Sequence, residues 1–380
     1  MYISDTSRKF QVVWDLGRRC TYACTYCPPH RNNKTSRLIT FAEMKETLEF
    51  IDEYFEFMQD FRFAEQRLFP SLSFTGGEPT IHPDFFKFCK YVKDTYGDKY
   101  RVNLTTNGAF AKKILNNIDQ YCDGGTISYH PEGGSKDLVR EAIYKLGKGG
   151  RMGINVMFHK DYFDECVELC NDLDERGIKY KARRIGDDGN DKSSILMGYT
   201  HLYTEEQERI FDQYAGIKNS KKGRGCCGGR CLKIQNKEGL EHEGWFLPST
   251  NFEGWSCGIN WYFLYINQET RDIFTHQTCQ VNLDGEIGPI GHLDNTDALM
   301  DRLTEQFYER RQFPVIKCPK KFCGCGMCID KSNDFNKYVE IQKDKIHSVD
   351  FLETEQVPWE HPAGNKNTVR AKVEAMDGKG

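Results

Sequence analysis

Residues 18–27 have the sequence Arg-Arg-Cys-Thr-Tyr-Ala-Cys-Thr-Tyr-Cys and follow closely on a hydrophobic run at 10–16. Cys20, Cys24 and Cys27 therefore stand within eight residues, with the spacing Cys-x3-Cys-x2-Cys. Thiolates this close together can bind one soft metal centre, either an iron–sulfur cluster or zinc. A structural zinc site takes four ligands, so zinc here would need a further ligand from elsewhere in the chain. A cluster held by three cysteines leaves one iron open to another molecule.

Around this motif the chain alternates short β-rich runs with longer amphipathic stretches. The patterns predict strands at 12–16, 72–74, 100–104, 125–129, 154–158 and 179–185. Helices are predicted at 41–57, 83–95, 109–117, 136–146, 163–175 and 205–214, with Thr40 as the N-cap of the first. Six strand–helix units predict an α/β fold with a parallel sheet, and eight would be needed to close a full barrel. We therefore expect a partial, TIM-like (β/α)6 barrel over residues 8–215.

Polar or glycine-rich segments follow four of the predicted strands. They are the cysteine motif, Thr75-Gly76-Gly77-Glu78-Pro79, Thr105-Thr106-Asn107-Gly108 and Ser128-Tyr129-His130. In parallel α/β folds the chemistry takes place at the carboxyl ends of the strands. The four segments are therefore expected to form one site.

Composition limits the classes of protein that fit. The chain has 380 residues, of which 28% are charged and 38% hydrophobic, and a net charge of −4, which is typical of a soluble globular protein and gives no global reason to expect nucleic acid as a partner. There is no apolar run long enough for a membrane span and no signal peptide, so a cytoplasmic location is predicted. Sixteen cysteines without a secretory signal favour metal or redox chemistry over disulfides.

Nine of these cysteines lie between Cys226 and Cys328, which predicts a second unit at 216–335, a small cysteine-rich α+β extension. A hairpin is predicted from 261–267 and 271–275, between Cys257 and Cys279. Residues 336–380 are expected to form a polar, partly disordered tail. Cys89, Cys122, Cys166 and Cys170 are interpreted as ordinary buried residues.

The spacing Cys-x3-Cys-x2-Cys with an aromatic before the last cysteine, together with the Gly-Gly-Glu-Pro turn, closely resembles the radical S-adenosylmethionine superfamily over residues 10 to about 185. Residues 226–328 resemble its twitch or SPASM type of extension. The resemblance implies a [4Fe-4S] cluster on Cys20, Cys24 and Cys27, whose open iron chelates S-adenosylmethionine. Reductive cleavage would then release methionine and a 5′-deoxyadenosyl radical that abstracts hydrogen from a C–H bond.

The resemblance also implies cofactor-binding roles at the strand ends. Gly76 and Gly77 would let the backbone approach the methionine amino group, and Glu78 would bind that group or cap the following helix. Tyr26 would lie near the adenine, and the methionine or ribose would be bound by Thr106, Asn107 and Ser128. Weaker candidates are His130, which is equally well explained as a structural residue, and Arg183 or Arg184, only one of which can face the interior because strand residues alternate.

For the extension the resemblance implies one or two auxiliary [4Fe-4S] clusters. The expected ligands of a single cluster are Cys257 and Cys279 with Cys323, Cys325 and Cys328, and Cys318 belongs to the same group of choices. The alternative for 318–328 is a structural zinc knuckle. The hairpin turn carries no glycine before Cys279, which departs from the SPASM pattern. The remaining three, Cys226, Cys227 and Cys231, could be ligands of a second cluster, and the first two could instead be a redox pair, a hydrogen-atom donor or part of an idle loop.

Three functions remain open from the sequence. The favoured one is modification of a peptide or protein substrate by hydrogen abstraction, with a reducing partner such as flavodoxin or ferredoxin. The alternative is a radical dehydrogenase or mutase acting on a small molecule. A hypothesis of another class is a non-catalytic iron–sulfur or zinc protein, although neither the Gly-Gly-Glu-Pro turn nor the strand–helix alternation is needed to hold zinc.

Overall fold

A computed structural model of the chain describes residues 2–5, 8–27, 34–185, 203–215, 232–235, 241–242, 251–321 and 329–353. The α-helices are α1 (Phe41–Asp60), α2 (Phe85–Tyr96), α3 (Lys112–Tyr121), α4 (Lys136–Gly147), α5 (Phe163–Glu175), α6 (Glu205–Tyr214), α7 (Thr296–Thr304) and α8 (Phe335–Lys343). The strands are β1 (Tyr2–Asp5), β2 (Lys9–Asp15), β3 (Phe69–Thr75), β4 (Arg101–Thr106), β5 (Gly124–Tyr129), β6 (Met152–Phe158), β7 (Tyr180–Arg184), β8 (Leu232–Gln235), β9 (Glu241–His242), β10 (Ser256–Cys257), β11 (Phe263–Asn267), β12 (Asp272–Phe274), β13 (Gly291–His292), β14 (Gln312–Lys317), β15 (Lys331–Ser332) and β16 (Asp350–Glu353).

The larger sheet is built around six parallel strands. Its order is β13-β12-β11-β2-β3-β4-β5-β6-β7, and each neighbouring pair from β2 to β7 is parallel. All six therefore end at the same edge, which we call the carboxyl edge. The predicted mixed α/β fold with a parallel sheet is confirmed.

One face of this sheet is apolar and covered by helices. In β2 the buried residues alternate, with Phe10, Val12 and Trp14 on the covered face. Helix α1 packs there and begins where predicted. The Thr40 hydroxyl accepts a hydrogen bond from the Glu43 amide, and the Glu43 carboxylate accepts one from the Thr40 amide.

The region expected as a separate C-terminal unit joins the larger sheet. Strand β11 pairs in parallel with β2, from Phe263 opposite Gln11 to Asn267 opposite Asp15. Strands β11 and β12 form the predicted hairpin, with Tyr265 opposite Phe274. Part of the cysteine-rich region is thus fixed beside the strand that leads into the first cysteine motif.

The smaller sheet joins strands from the first and the last described segments of the chain. Its order is β16-β14-β10-β15-β1-β8-β9, and the N-terminal strand β1 pairs antiparallel with both β15 and β8. In the described part of the chain, no helix combines the length and apolar character needed to cross a membrane.

The expectation of a polar tail from residue 336 is wrong for 336–353. Helix α8 buries Tyr338 and Ile341, which lie three residues apart on one helical face, and β16 pairs in parallel with β14 while burying Phe351. These apolar positions were too widely spaced among polar residues to be recognised. Residues 354–380 lie outside the described part.

Candidate functional site

The first three cysteines lie in a loop, residues 16–27, that leaves the carboxyl end of β2; we call it the cysteine loop. Its start is fixed by backbone contacts: the Leu16 amide donates to the Thr75 carbonyl, and the Gly17 amide donates to the Asp15 carboxylate at 3.0 Å. The Arg19 side chain donates to the carbonyl of Ser36 at 2.5 Å. Hydrogen bonds on both sides therefore hold the loop before its first cysteine.

The Gly-Gly-Glu-Pro turn after β3 packs directly against this loop. The Gly77 amide donates to the Gly17 carbonyl at 2.8 Å, and the Glu78 amide donates to the Arg19 carbonyl at 2.7 Å. A Cβ on Gly77 would lie 2.1 Å from the Arg19 carbonyl oxygen, and one on Gly76, whose φ is +131°, would lie 2.4 Å from that of Gly17. Both glycines are therefore required by the contact between the two loops. Their predicted approach to the methionine amino group stays a prediction.

Glu78 is buried beneath that contact. One carboxylate oxygen accepts from the Thr80 amide and hydroxyl, at 3.1 and 2.7 Å, and from the Thr106 hydroxyl at 2.8 Å. The other accepts from the Asn107 amide at 2.7 Å. Burial raises the pKa of Glu78, and these hydrogen bonds offset part of the rise. The side chain caps the short helical turn after it, as one of the two predicted roles requires; binding of the methionine amino group stays a prediction.

Asn107 connects the end of β4 to the cysteine loop. Its Nδ2 donates to the Thr21 hydroxyl at 3.0 Å and to the Cys20 sulfur at 3.5 Å. The predicted residues Thr106 and Asn107 are therefore brought to the same place as Glu78 and the first cysteine. Their predicted contacts with S-adenosylmethionine are a separate matter and stay predictions.

The three thiols share one half-buried environment. Burial and the Glu132 carboxylate, with smaller effects of Cys20 and Cys27, raise the pKa of Cys24 to about 12, although a hydrogen bond with Tyr26 offsets part of the rise. The described residues include no set of three or more Cys, His, Asp or Glu side chains already arranged around a metal position. Metal binding would require the thiols to lose their protons and turn toward one another. Three soft sulfur donors in one loop, held from below by a glycine turn, fit a cluster by donor chemistry.

Sequence reasoning missed Glu132 and His159, which hold the far side of the cysteine loop. Glu132 accepts from the Thr25 amide at 2.6 Å and from its hydroxyl at 2.5 Å, and its carboxylate lies 2.8 Å from His159 Nε2. Both residues follow closely on predicted strands. That position was the signal that could have identified them.

Tyr26, predicted near the adenine, is almost fully buried. Its hydroxyl lies 2.5 Å from His130 Nδ1, and the two rings are stacked with centroids 5.8 Å apart. Burial lowers the pKa of His130 to about 4, so the imidazole is neutral at pH 7. His130 and Tyr26 thus form one packed pair between the loop and the end of β5.

The remaining strand-end candidates lie on β5 and β7. Ser128 is in register with Asn155 of β6. Arg184 faces the helices and forms an ion pair with Glu208, whereas Arg183 Nε donates to Asn155 Oδ1 at 3.3 Å on the opposite face. The predicted alternation of the two arginines is confirmed.

In the C-terminal region one small cavity is lined by three thiols, from Cys257, Cys279 and Cys318; we call it the thiol cavity. Phe252, Trp255 and Lys331 also line it. Burial, together with the ammonium groups of Lys331 and Lys320, lowers the pKa of the nearby His276 to about 3. The cavity is therefore apolar, rich in sulfur and next to positive charge.

The thiol cavity contains some of the predicted auxiliary ligands, whereas others lie outside the described residues. Cys257 and Cys279 are brought together as expected, and Cys318 joins them although the preferred ligand set omitted it. The other predicted cysteines lie outside the described residues: Cys226, Cys227, Cys231, Cys323, Cys325 and Cys328. The four scattered cysteines, Cys89, Cys122, Cys166 and Cys170, are buried as predicted.

Part of the chain matches a known protein family, and individual relatives are similar to longer or shorter parts of it. Residues 14–198 match the family described as the Radical SAM superfamily. A GTP 3′,8-cyclase of Nautilia profundicola is 27% identical over 165 residues, which are 41% of this chain and 48% of the cyclase. An AdoMet-dependent heme synthase of Oleidesulfovibrio alaskensis is 22% identical over 347 residues, covering 83% of this chain and 79% of the synthase.

Two further similarities are more limited. An S-adenosylmethionine-dependent nucleotide dehydratase of Selenomonas ruminantium is 24% identical over 100 residues, 26% of this chain and 30% of the dehydratase. The solved structure of BtrN in complex with AdoMet and 2-DOIA is 13% identical with a TM-score of 0.38, covering 80% of this chain and 89% of that one. A TM-score below 0.5 supports no statement about function.

The chain spans about half the length of the cyclase, so the relatives' activities do not transfer to it as a whole. The family match nevertheless covers the cysteine loop, the glycine turn and the strands β3 to β7. Members of this family bind a [4Fe-4S] cluster and S-adenosylmethionine. Residues 14–198 therefore form a radical SAM superfamily domain.

Proposed function

We propose that this radical SAM enzyme cleaves S-adenosylmethionine reductively and abstracts hydrogen from a C–H bond of a small molecule, in a dehydrogenation or a rearrangement. The observation that carries the proposal is the contact between the cysteine loop and the glycine turn. Gly77 approaches the Arg19 carbonyl so closely that any side chain would prevent it. Two distant segments are thereby joined at the carboxyl edge, where parallel α/β folds place their chemistry.

In this proposal Cys20, Cys24 and Cys27 hold the [4Fe-4S] cluster. When bound, the cluster and S-adenosylmethionine supply the electron and the 5′-deoxyadenosyl radical. The protein's own part is to hold the loop in place: Glu78 and Asn107 fix it on the β4 side, and Glu132 fixes it on the β5 side. Tyr26 and His130 close the space between loop and sheet, which excludes water. A reducing partner such as flavodoxin or ferredoxin would deliver the electron.

A small molecule is preferred over the peptide substrate that the sequence favoured. The names of the three relatives refer to GTP, heme and a nucleotide. None of those names refers to a peptide, so the comparisons give the peptide reading no support. The radical dehydrogenase or mutase, first considered as the alternative, agrees better with them.

We also propose that the C-terminal region is a twitch- or SPASM-like domain holding at least one auxiliary [4Fe-4S] cluster. The thiol cavity supports this, because Cys257, Cys279 and Cys318 line it from three separate segments and would supply three ligands if their thiols turned toward one another. A fourth ligand would come from Cys323, Cys325 or Cys328. The three sulfur atoms suit iron–sulfur or zinc by softness, and analysis of bound iron distinguishes the two.

The first experiment tests cleavage of S-adenosylmethionine. The protein is reconstituted anaerobically with iron and sulfide, reduced with dithionite, mixed with S-adenosylmethionine, and analysed for 5′-deoxyadenosine. We expect release from the wild type and from Cys89→Ala, whose cysteine is buried in the core, and none from Cys24→Ala. No release from the wild type, or unchanged release from Cys24→Ala, would overturn the proposal.

The same reconstituted protein tests the auxiliary cluster and the substrate class. Bound iron of about eight atoms per chain indicates one auxiliary cluster and about twelve indicates two. For the substrate, a cell extract is separated by ultrafiltration into small-molecule and protein fractions. The small-molecule fraction should stimulate release of 5′-deoxyadenosine above the background. Stimulation by the protein fraction alone would instead favour a peptide or protein substrate.

A further inference from the structure

The face of the parallel sheet opposite the helices is polar along β6 and β7. In β6 the residues Ile154, Val156 and Phe158 are buried on the helix side, and Asn155 between them is only half-buried. In β7 the exposed residues are Lys181 and Arg183. Because strand residues alternate between faces, the cations and Asn155 share the face on which the described residues place no helix.

The two cations on this face differ from the arginine beside them. Arg184 is neutralised by Glu208, with Nη2 and Oε2 2.6 Å apart, on the helix side. Among the residues that the structure describes, no carboxylate lies within ion-pair distance of Lys181 or Arg183. Arg183 Nε donates to the amide oxygen of the uncharged Asn155 at 3.3 Å, which orients the guanidinium without neutralising it.

The strand register places these two cations near the carboxyl edge of the sheet. Ser128, Asn155 and Lys181 form one row across β5, β6 and β7. Neighbouring strands lie about 4.8 Å apart, so Lys181 is about 10 Å from Ser128 across the sheet. Arg183 lies two residues further along the same strand, toward the carboxyl edge where the cysteine loop and the glycine turn meet.

We propose that Arg183, with Lys181, binds the phosphate of a phosphorylated small-molecule substrate and so anchors it across the carboxyl edge. A guanidinium matches phosphate oxygens in a two-pronged geometry, and an adjacent ammonium adds charge without directional demands. Asn155 is the positioning residue, since its amide oxygen holds the Arg183 side chain. This assignment rests on the proposed function, because a substrate anchor serves to place one C–H bond beside the radical.

Binding of inorganic pyrophosphate to the reconstituted protein tests the assignment, measured by isothermal titration at constant ionic strength set with chloride. We expect Arg183→Gln to weaken binding about tenfold or more, as loss of one charge-assisted contact does. Arg184→Gln is the matched control, because it removes an equal charge from the neighbouring residue on the other face. It should bind pyrophosphate as the wild type does, even if the loss of its ion pair lowers thermal stability.

Release of 5′-deoxyadenosine without substrate is measured on the same samples. Loss of pyrophosphate binding in Arg183→Gln supports a substrate anchor, whereas loss of this release as well would assign Arg183 to S-adenosylmethionine and overturn the anchor. If the wild type does not bind pyrophosphate, or if the two arginine variants bind it equally, the assignment is wrong. If pyrophosphate binding follows the prediction but no sample releases 5′-deoxyadenosine, the proposed radical function fails and the anion site stands by itself.

Discussion

Lys331 lies directly opposite Cys257 in the antiparallel pairing of β15 with β10. Both side chains line the thiol cavity, and Lys331 is only 2% exposed. Side chains directly opposite each other in an antiparallel pair project from the same face of the sheet. A buried ammonium group is thus placed next to three thiols, where it would stabilise any negative charge that they or a bound cluster carry.

This relationship predicts the redox behaviour of the proposed auxiliary cluster. Lys331→Met keeps the length and apolar stem of the side chain and removes its charge. Because reduction adds negative charge to a cluster, loss of the cation should lower the midpoint potential, measured by a redox titration followed by electron paramagnetic resonance. Lys337→Met, at a surface ion pair with Glu340, is the control and should leave the potential unchanged. Equal potentials in all three proteins would contradict the prediction.

The contact of the glycine turn with the cysteine loop predicts a severe effect of one methyl group. In Gly77→Ala the new Cβ would clash with backbone rather than with a flexible side chain. Overpacking of this kind typically costs about 1–3 kcal/mol, and here it must also displace the loop that carries the cysteines. We expect reduced thermal stability together with loss of 5′-deoxyadenosine release.

Gly134→Ala provides the comparison for Gly77→Ala. A Cβ on Gly134 would have no atom within 4 Å, and the residue lies in the loop that follows β5. Stability and release should stay close to the wild type. If the two alanine variants behave alike, close packing of the glycine turn is not what the site depends on.

The hydrogen bonds and ion pair of the buried Asp330 are expected to hold helix α8 in place. Its carboxylate is fully buried and lies 2.7 Å from Lys345 Nζ, and it also accepts from Gln342 at 2.8 Å and from the Tyr262 hydroxyl. Removing one partner of a buried ion pair leaves an uncompensated charge and costs about 3–5 kcal/mol. Asp330→Ala should lose that much in the free energy of unfolding by denaturant titration. Glu340→Gln, on the exposed surface of α8, should change it by less than about 0.5 kcal/mol.

The hydrogen-bonded carboxylate of Glu43 is expected to make the stability of the fold depend on pH in the acid range. The Arg37 guanidinium, at 2.6 Å, and the Thr40 amide lower the pKa of Glu43 from its ordinary 4.5 to about 2. A lowered pKa in the folded state means that the stabilisation is present above pH 4.5 and is lost as the pH falls toward 2. Glu43→Gln should therefore lose about 1 kcal/mol at pH 7 and show a shallower fall in stability below pH 4.5.

Glu46→Gln, at an exposed position of the same helix, is the control for the acid titration. Its stability should follow the wild-type curve across the whole pH range. A Glu43→Gln curve parallel to the wild type below pH 4.5 would show that the capping carboxylate has no part in acid unfolding.

Local patterns in the sequence were sufficient for most of the parallel sheet and for the helices that cover it. The alternation in β2 and the capping box at Thr40 depend on residues only a few positions apart, so both can be recognised in the sequence. For the same reason the cysteine loop and the glycine turn could be recognised, and their place after β2 and β3 predicted that they would meet. The role of Gly77 in that meeting depended on how closely the two backbones approach, which no spacing reveals.

What the sequence by itself determined is therefore the order of the parallel strands and the position of the first cysteine motif at one strand end. Tertiary structure decided the rest: that β11 lies beside β2, that Cys318 joins Cys257 and Cys279, and that Arg184 rather than Arg183 is the one that faces the helices. These pairings join residues far apart in the chain, and their register is selected by burial and shape complementarity across the folded molecule rather than by any local period.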